Sequence, residues 1–416
     1  MYRLADPAGL EYSFDSMSSN IPPPIGRIQE ALREADLDGW LFYDFRGLDP
    51  IARKVLGLDP SHMGSRRWFC FIPARGEPAR LVHAIEPAML DALPGPKTIY
   101  LSWKSLEEGL AGILRGAKRV AMQYSPRNAV PYVSRVDGGT VELVRSLGVE
   151  VVSSADLVQR FDAALDAEQI AAHRRAAVIL RSLVDEVFAR AASDVSSGRV
   201  LTERGLQEFL ADRITGKGLI FDHPAIIGVN AHAADPHFEV PETGSAPIRR
   251  GDVLLVDVWA KEPTSRAVYA DITWTAVVGD RIPEEVAKVF TIVRDARNAA
   301  IRAAGEAIRA SRKIHGFELD RACRGVIEAN GFGGQFIHRT GHSIQTEVHG
   351  NGANLDDLET HDTRAIIPGA LFSVEPGIYL PGRFGIRSEV DVLHTGSDAE
   401  VTGQPIQEEI RALLAP

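Results

Sequence analysis

Apolar positions in the first 160 residues come in short runs, WLFYDF, RWFCFIP, ARLVHAI, KRVAMQY and VEVVSS, set between Gly/Pro turns and helix-like stretches such as RIQEALREADLDG. Short runs alternating with helical patterns predict an α/β layer domain over about residues 20–160. At LDAEQIAAHRRAAVILRSLVDEVFARAASDV the period changes. Asp166 and Gln169 stand at N-cap and N3 spacing, and Leu180, Val184, Val187 and Phe188 recur at helical intervals, which predicts one long helix and a domain boundary. Beyond it the pattern reads helix (about 167–192), helix (about 202–216), strands to Gly279, helix (about 284–309), helix (about 317–330), then strands again. The two halves share one plan without a residue-level repeat. That predicts a pseudo-twofold α/β domain whose strands surround one cleft.

Several of the apolar runs contain an acid. VLLVDVWA and AVYADITWTAVV, joined through KEPTSR, read as an antiparallel pair carrying Asp257 and Asp271. LFSVEPGIYL carries Glu375, and FGIRSEVDVL carries Arg387, Glu389 and Asp391 at alternate positions, hence on one face of a predicted strand. Either aspartate alone is explained by a buried salt bridge. A buried unpaired charge costs several kcal/mol, and acids buried in four strands exceed what one arginine can pair. A metal site resolves the charge, and His342 in HRTGHSIQTEVHGNG adds an imidazole. Such a donor set suits two hard or borderline divalent ions: oxygen favours Mn²⁺ or Mg²⁺, and imidazole adds affinity for Co²⁺, Fe²⁺ or Zn²⁺. The His338/His342 spacing could imitate a helical HExxH zinc motif, but Arg339 stands where the glutamate belongs, and Gly331, Gly333, Gly334 and Gly341 oppose helix.

Composition narrows the partners. The chain has 416 residues, enough for two domains, with 45% hydrophobic and 25% charged residues as in a globular protein. A net charge of −10 without a basic block argues against nucleic acid and anionic membranes as partners. Cys70 and Cys323 are too few for a disulfide framework, and the N-terminus lacks a basic start followed by an apolar run. Both features suggest a cytoplasmic protein.

The five dispersed residues Asp257, Asp271, His342, Glu375 and Glu389, in this order and local context, resemble the ligands of the pita-bread metallopeptidases. That group contains Xaa-Pro dipeptidase (prolidase), aminopeptidase P, methionine aminopeptidase and the metal-free creatinase. The resemblance implies a creatinase-like α/β N-terminal domain over residues 1–163 and a pita-bread catalytic domain over 164–416. It implies two divalent ions, Mn²⁺ first and Co²⁺ or Zn²⁺ as alternatives, bridged by Asp271 and Glu389, with Asp257 completing one ion and His342 and Glu375 the other. His349, in TEVHGNG, matches the second active-site histidine, expected to stabilise an oxyanion or move a proton, and Glu375 would pass a proton to the leaving nitrogen. His237, in the PHF triplet of IIGVNAHAADPHFEVP, would line the substrate pocket, whereas His223 and His232 read as ordinary polar residues. His338, Arg364 and Arg387 are the expected substrate contacts, with a loop-stabilising hydrogen bond as the alternative for His338 and a metal-bound aspartate as the alternative partner of Arg387. The implied activity is hydrolysis of the Xaa-Pro bond, in dipeptides first, by a homodimer. The alternatives are an aminopeptidase acting on longer peptides and a non-catalytic binding module. Departures from the pattern are the wide separation of Asp257 and Asp271, Gln345 and Gly350 in the histidine loop, and His361 where prolidases place an arginine for the dipeptide carboxylate.

Overall fold

A computed structural model of the chain describes residues 23–59 and 64–415, so the reading of the N-terminus lies largely outside the described residues. By contacts the chain divides into two units: one comprises residues up to Met122 together with Val136–Val151, the other Gln123–Arg135 together with Val152–Pro416. This division places the segment 123–135 with the second unit, although in sequence it interrupts the first.

The first unit is built on β1 (Gly39–Asp44), β2 (Trp68–Pro73), β3 (Ala79–His83), β4 (Lys97–Tyr100), β5 (Arg119–Met122) and the start of β6 (Glu150–Ser153), in the order β4-β3-β2-β1-β5-β6. Its helices are α1 (Ile25–Glu34), α2 (Pro50–Val55), α3 (Trp103–Ile113) and α4 (Gly138–Ser146). Every residue of β1 is buried, which is why WLFYDF reads as a continuous apolar run instead of an alternating one.

In the second unit, a short helix α5 (Ala155–Val158) precedes α6 (Ala167–Ser196), whose start is fixed by the reciprocal Asp166/Gln169 capping box. With α7 (Glu203–Gly216) it packs on a sheet of β7 (Ile226–Val229), β8 (Val253–Ala260) and β9 (Ala270–Val277), and Leu180, Val184, Leu206, Leu254, Val256 and Ile272 share one core. The second half repeats the plan. Helices α8 (Glu284–Arg309) and α9 (Gly316–Ala329) cover β10 (Leu371–Val374), β11 (Gly377–Leu380), β12 (Phe384–Arg387) and β13 (Val390–His394), around a second core containing Phe290, Val293, Leu319, Phe372, Ile378 and Val392. Strand β14 (Ala399–Val401) pairs with β13, and β15 (Arg411–Ala412) pairs with β9. Two amphipathic helix pairs, each burying one face on its own strands, account for the duplicated pattern of the sequence.

The expected antiparallel pair is present as β8 and β9, with Trp259 opposite Asp271 and Asp257 opposite Thr273. Two other expectations need correction. LFSVEPGIYL is not one strand: it breaks at Glu375-Pro376 into β10 and β11, which pair with β13 and β12 respectively and lie in separate sheets. FGIRSEVDVL likewise breaks at Ser388-Glu389 between β12 and β13. Pro376 carries no N–H for a ladder, so the chain changes sheet at the first of these breaks. Glu375 and Glu389 therefore sit at crossover points between sheets.

Candidate metal centre

The two halves are stitched together where the acids lie. The Glu389 N–H donates to the Thr273 carbonyl at 3.1 Å, and the Asp271 N–H donates to Asp391 Oδ2 at 2.9 Å. The loop carrying His342 lies against β10: the His342 N–H donates to Ser373 Oγ at 3.0 Å, and an isolated bridge joins Ser343 to Phe372. A Cβ on Gly341 would come 1.9 Å from the Ser373 carbonyl oxygen, so only glycine permits this approach.

Ligand atoms of Asp271, His342 and Glu389 lie within 4.8 Å of one another, and all three residues are buried. His342 Nδ1 faces the Ser343 carbonyl at 3.3 Å, and a carbonyl only accepts, so the ring proton belongs on Nδ1. The Nε2 lone pair is left 3.4 Å from Glu375 Oε1 and 3.7 Å from Asp271 Oδ2. A lone pair turned toward two carboxylate oxygens is repulsive unless a proton or a cation stands between them, and both separations are longer than those of a charge-assisted hydrogen bond. Asp257 Oδ1, Asp271 Oδ1 and Asp391 Oδ1 are buried without any hydrogen-bond partner. Such orphaned acceptors are rare in folded proteins, and one of them belongs to Asp271 of this cluster. The residues present therefore fit divalent cations, with oxygen and imidazole donors and no thiolate.

The electrostatics agree. Burial, then the charge of Glu389, raises the Asp271 carboxyl well above its usual range. Burial, with Glu375 and Asp257, does the same to Glu389. Glu375 is pushed up to about 7, chiefly by burial, against the opposing charges of Arg387 and Arg339. His342 is held well below its ordinary value by burial and then by His349, so it stays neutral.

Asp257 is in a different situation. It forms an ion pair with Arg387, whose Nε also donates to Thr273 Oγ1 at 3.1 Å, and Thr273 Oγ1 in turn donates to Glu389 Oε2 at 2.7 Å. Arg387 Nη1 donates to Tyr379 Oη at 3.1 Å. His338 Nδ1 donates to the Arg339 carbonyl at 2.7 Å, so its Nε2 accepts from Tyr379 Oη, also at 2.7 Å. Both nitrogens of His338 are thereby engaged. The ring buttresses Arg387 through Tyr379, the hydrogen-bonding alternative to a substrate contact. Arg364 departs from expectation: its guanidinium binds Asp362 at 2.6 and 2.9 Å and the Asn351 carbonyl at 2.6 Å, tying down its own loop.

His349 packs edge-on against His342, with ring centroids 4.4 Å apart, while remaining exposed to solvent. Partial burial, then Arg339 and His237, lowers its pKa. His237 is exposed, on a turn where its N–H donates to Asp235 Oδ1 at 3.1 Å. His232 proves structural: its ring stacks on Phe238, and its Nδ1 lies 2.8 Å from Glu203 Oε1. Thr273 and Tyr379 were not singled out in the sequence. Thr273 lies two residues after Asp271 on β9, so alternation alone could have placed it on the same face.

Residues 171–396 match metallopeptidase family M24. The chain is 28% identical over 332 residues to "Probable dipeptidase PepE" of Mycobacterium tuberculosis, covering 79% of this chain and 81% of that protein. It is 29% identical over 219 residues to Xaa-Pro dipeptidase of Pyrococcus furiosus, covering 52% of this chain and 58% of that protein. Among solved structures, dipeptidase PepE from Mycobacterium ulcerans shares the fold with a TM-score of 0.67 at 24% identity, over 94% of this chain and 96% of that one. Prolidase from Thermococcus sibiricus does so with a TM-score of 0.60 at 22% identity, over 93% and 98%. With the family match spanning more than half of its length and meeting the buried Asp, His and Glu cluster, this chain belongs to metallopeptidase family M24 and is a metal-dependent peptide hydrolase of the pita-bread fold.

Proposed function

We propose that this chain hydrolyses the Xaa-Pro peptide bond, first of all in dipeptides, with residues 164–416 as its catalytic domain. Two divalent ions, Mn²⁺ before Co²⁺ or Zn²⁺, would be held by Asp257, Asp271, His342, Glu375 and Glu389. The observation that carries the reading is the His342 Nε2 lone pair directed at Glu375 and Asp271 beside unpartnered carboxylate oxygens. When bound, such ions supply the Lewis acidity that polarises a peptide carbonyl and acidifies water. Glu375, whose Oε1 lies 3.4 Å from His342 Nε2, would pass a proton to the leaving nitrogen. His349, neutral and exposed beside His342, can donate its N–H to the developing oxyanion. Arg387 holds Asp257 in place, Tyr379 and His338 hold Arg387, and the exposed His237 would line the substrate pocket. A proline after the scissile bond removes the N–H that strand-like substrate pairing uses, so a dedicated pocket is required. We further propose a cytoplasmic location and a homodimer. Among the described residues no helix is long and apolar enough to cross a membrane.

Action on longer Xaa-Pro peptides is favoured by one observation: Arg387 and Arg364, the expected carboxylate contacts, are both occupied by internal aspartates. Assaying Ala-Pro, Ala-Pro-amide, Ala-Pro-Ala and Met-Ala with the Mn²⁺-loaded protein separates the readings. The dipeptidase reading expects Ala-Pro to be best, and equal kcat/KM on Ala-Pro, its amide and Ala-Pro-Ala would replace it with the aminopeptidase.

A further inference from the structure

The arginines around the cleft differ in one respect. Arg387 is paired with Asp257, Arg364 with Asp362, and Arg324 with Asp320 through two hydrogen bonds of 2.9 and 3.0 Å. Arg339, between His338 and His342, has no carboxylate within ion-pair distance of its guanidinium among the described residues. The contact made by that group is with Tyr132, whose hydroxyl accepts from Nη1 and whose ring centroid lies 5.4 Å from Cζ. The Arg339 backbone is pinned on both sides: its N–H donates to Glu359 Oε1 at 3.1 Å and its carbonyl accepts from His338 at 2.7 Å. The side chain is half-buried. A partly desolvated cation without an anion is unfavourable, and the protein leaves this one unpaired while neutralising its neighbours. Its charge acts on the catalytic groups, lowering the pKa of His349, His342 and Glu375.

Tyr132 is presented by a stiff element. Residues 126–133 contain two 3₁₀ turns, each begun by a proline, and consecutive left-handed residues at Arg127 (φ 56°) and Asn128 (φ 54°). Left-handed backbone at non-glycine residues persists where the surroundings over-determine it. Ser125 Oγ adds a lock by accepting from the Val130 N–H at 2.9 Å. Beside this element a cavity of about 340 Å³ is lined by Arg127, Asn128, Glu359, Thr360 and His361. Glu359, which holds the Arg339 backbone, is thus part of its wall. A guanidinium presents five N–H groups in a fork that matches a carboxylate, and the tyrosine takes one.

We propose that Arg339, held by Tyr132, is the anchor for the free C-terminal carboxylate of the peptide substrate. The assignment rests on the Xaa-Pro reading above and gives it a residue for dipeptide selectivity. Neither Arg387 nor Arg364 can take the role without abandoning a buried aspartate. A substrate carboxylate at Arg339 supplies the missing anion and leaves the other pairs intact.

The test uses the full-length, Mn²⁺-loaded protein and its Arg339→Gln, Arg339→Lys and Tyr132→Phe variants, with metal content measured for each, on Ala-Pro and Ala-Pro-amide. The expected result is wild-type preference for the free acid. In Arg339→Gln the acid-to-amide ratio of kcat/KM falls about 10- to 100-fold, as for loss of a charge-assisted pair. The fall should lie in KM for the acid, be partly restored by Arg339→Lys, and be only a few-fold in Tyr132→Phe. An acid-to-amide ratio unchanged in Arg339→Gln, or a wild type indifferent to amidation, overturns the anchor while leaving Xaa-Pro hydrolysis standing. Absence of wild-type turnover on both peptides overturns the Xaa-Pro reading and the anchor together.

Discussion

Two ends of the same buried cluster are neutralised in opposite ways. At one end Asp257 has its cation built in, because Arg387 is bonded to it and is itself braced by Thr273 and Tyr379. Burial works against the Arg387 charge, but Tyr379, Asp257 and Glu389 hold its pKa well above the usual value. At the other end Asp271, Glu389 and His342 converge with only acceptors facing one another, and both carboxyls are driven up. An acid paired with arginine stays charged without help. Acids paired with one another need either protons or an external cation, and the unprotonated Nε2 of His342 beside them offers a cation a nitrogen donor. The contrast separates an Asp271 end, whose acids have no arginine bonded to them, from an Asp257 end, whose cation is supplied by Arg387.

The largest effect expected from this contrast is at the acceptor-only end. Glu389→Ala or Asp271→Ala should reduce kcat/KM by about 10³-fold or more, with metal content by elemental analysis falling in parallel. Retention of two ions by either variant breaks the assignment of these residues as ligands.

A second experiment asks whether the ends respond to neutralisation with opposite sign. Asp257→Ala leaves Arg387 as an uncompensated buried cation and should cost about 3–5 kcal/mol in urea unfolding. Asp271→Asn removes a like charge, so at about pH 8 the metal-free variant should be more stable than metal-free wild type. The same sign for both changes would show that the ends are electrostatically equivalent.

His349 belongs to the acceptor-only end by position but is not expected to hold an ion. His349→Ala should keep both metals and lower kcat by about 10²-fold. Loss of metal would move the residue into the ion-holding set, and a change confined to KM would move it to substrate binding.

The smallest effect is in pH dependence without metal. Asp271, Glu375 and Glu389 have raised folded-state pKa values, Glu375 from 4.5 to about 7, so the folded protein retains protons that the unfolded chain releases. Their stabilising contribution is complete below the unfolded values and is lost as pH rises through about 7 and beyond. His338, lowered from 6.5 to about 3 by burial, and His342, also lowered, act in the opposite direction and lose their contribution as pH falls below 6.5. Above pH 6.5 only the carboxylate effect remains. The Tm of metal-free protein should therefore decline from pH 6.5 upward, and added Mn²⁺ should raise Tm more at about pH 8 than at pH 6.5. A Tm that is flat or rises with pH would contradict the raised carboxyl values.

Much of this was legible in the residues. Helix α8 runs over 284–309 as its period predicts, and Asp257 and Asp271 stand out as acids within apolar strands. Glu375 and Glu389 stand out for the same reason, but the strand breaks beside them do not, because LFSVEPGIYL and FGIRSEVDVL stay apolar on both sides of each crossover. Charge partners were the least legible part. Nothing local to Arg387 points to Asp257, 130 residues earlier, and nothing near Arg364 shows that Asp362 would fold back onto it. The position of Tyr132 was hidden for the same reason, since it meets Arg339 across 207 residues of sequence and lies in a segment without periodicity. Periodicity reports which face of an element is buried, and says little about which side chains meet when two faces close on each other.

The most direct test of the metal assignment is anomalous diffraction from crystals of the protein grown with Mn²⁺. Two peaks are expected, both within ligand distance of Asp271 and Glu389, one completed by Asp257 and the other by His342 and Glu375. No peak among these five residues, or an ordered water hydrogen-bonded to His342 Nε2 in place of an ion at saturating Mn²⁺, would contradict the account.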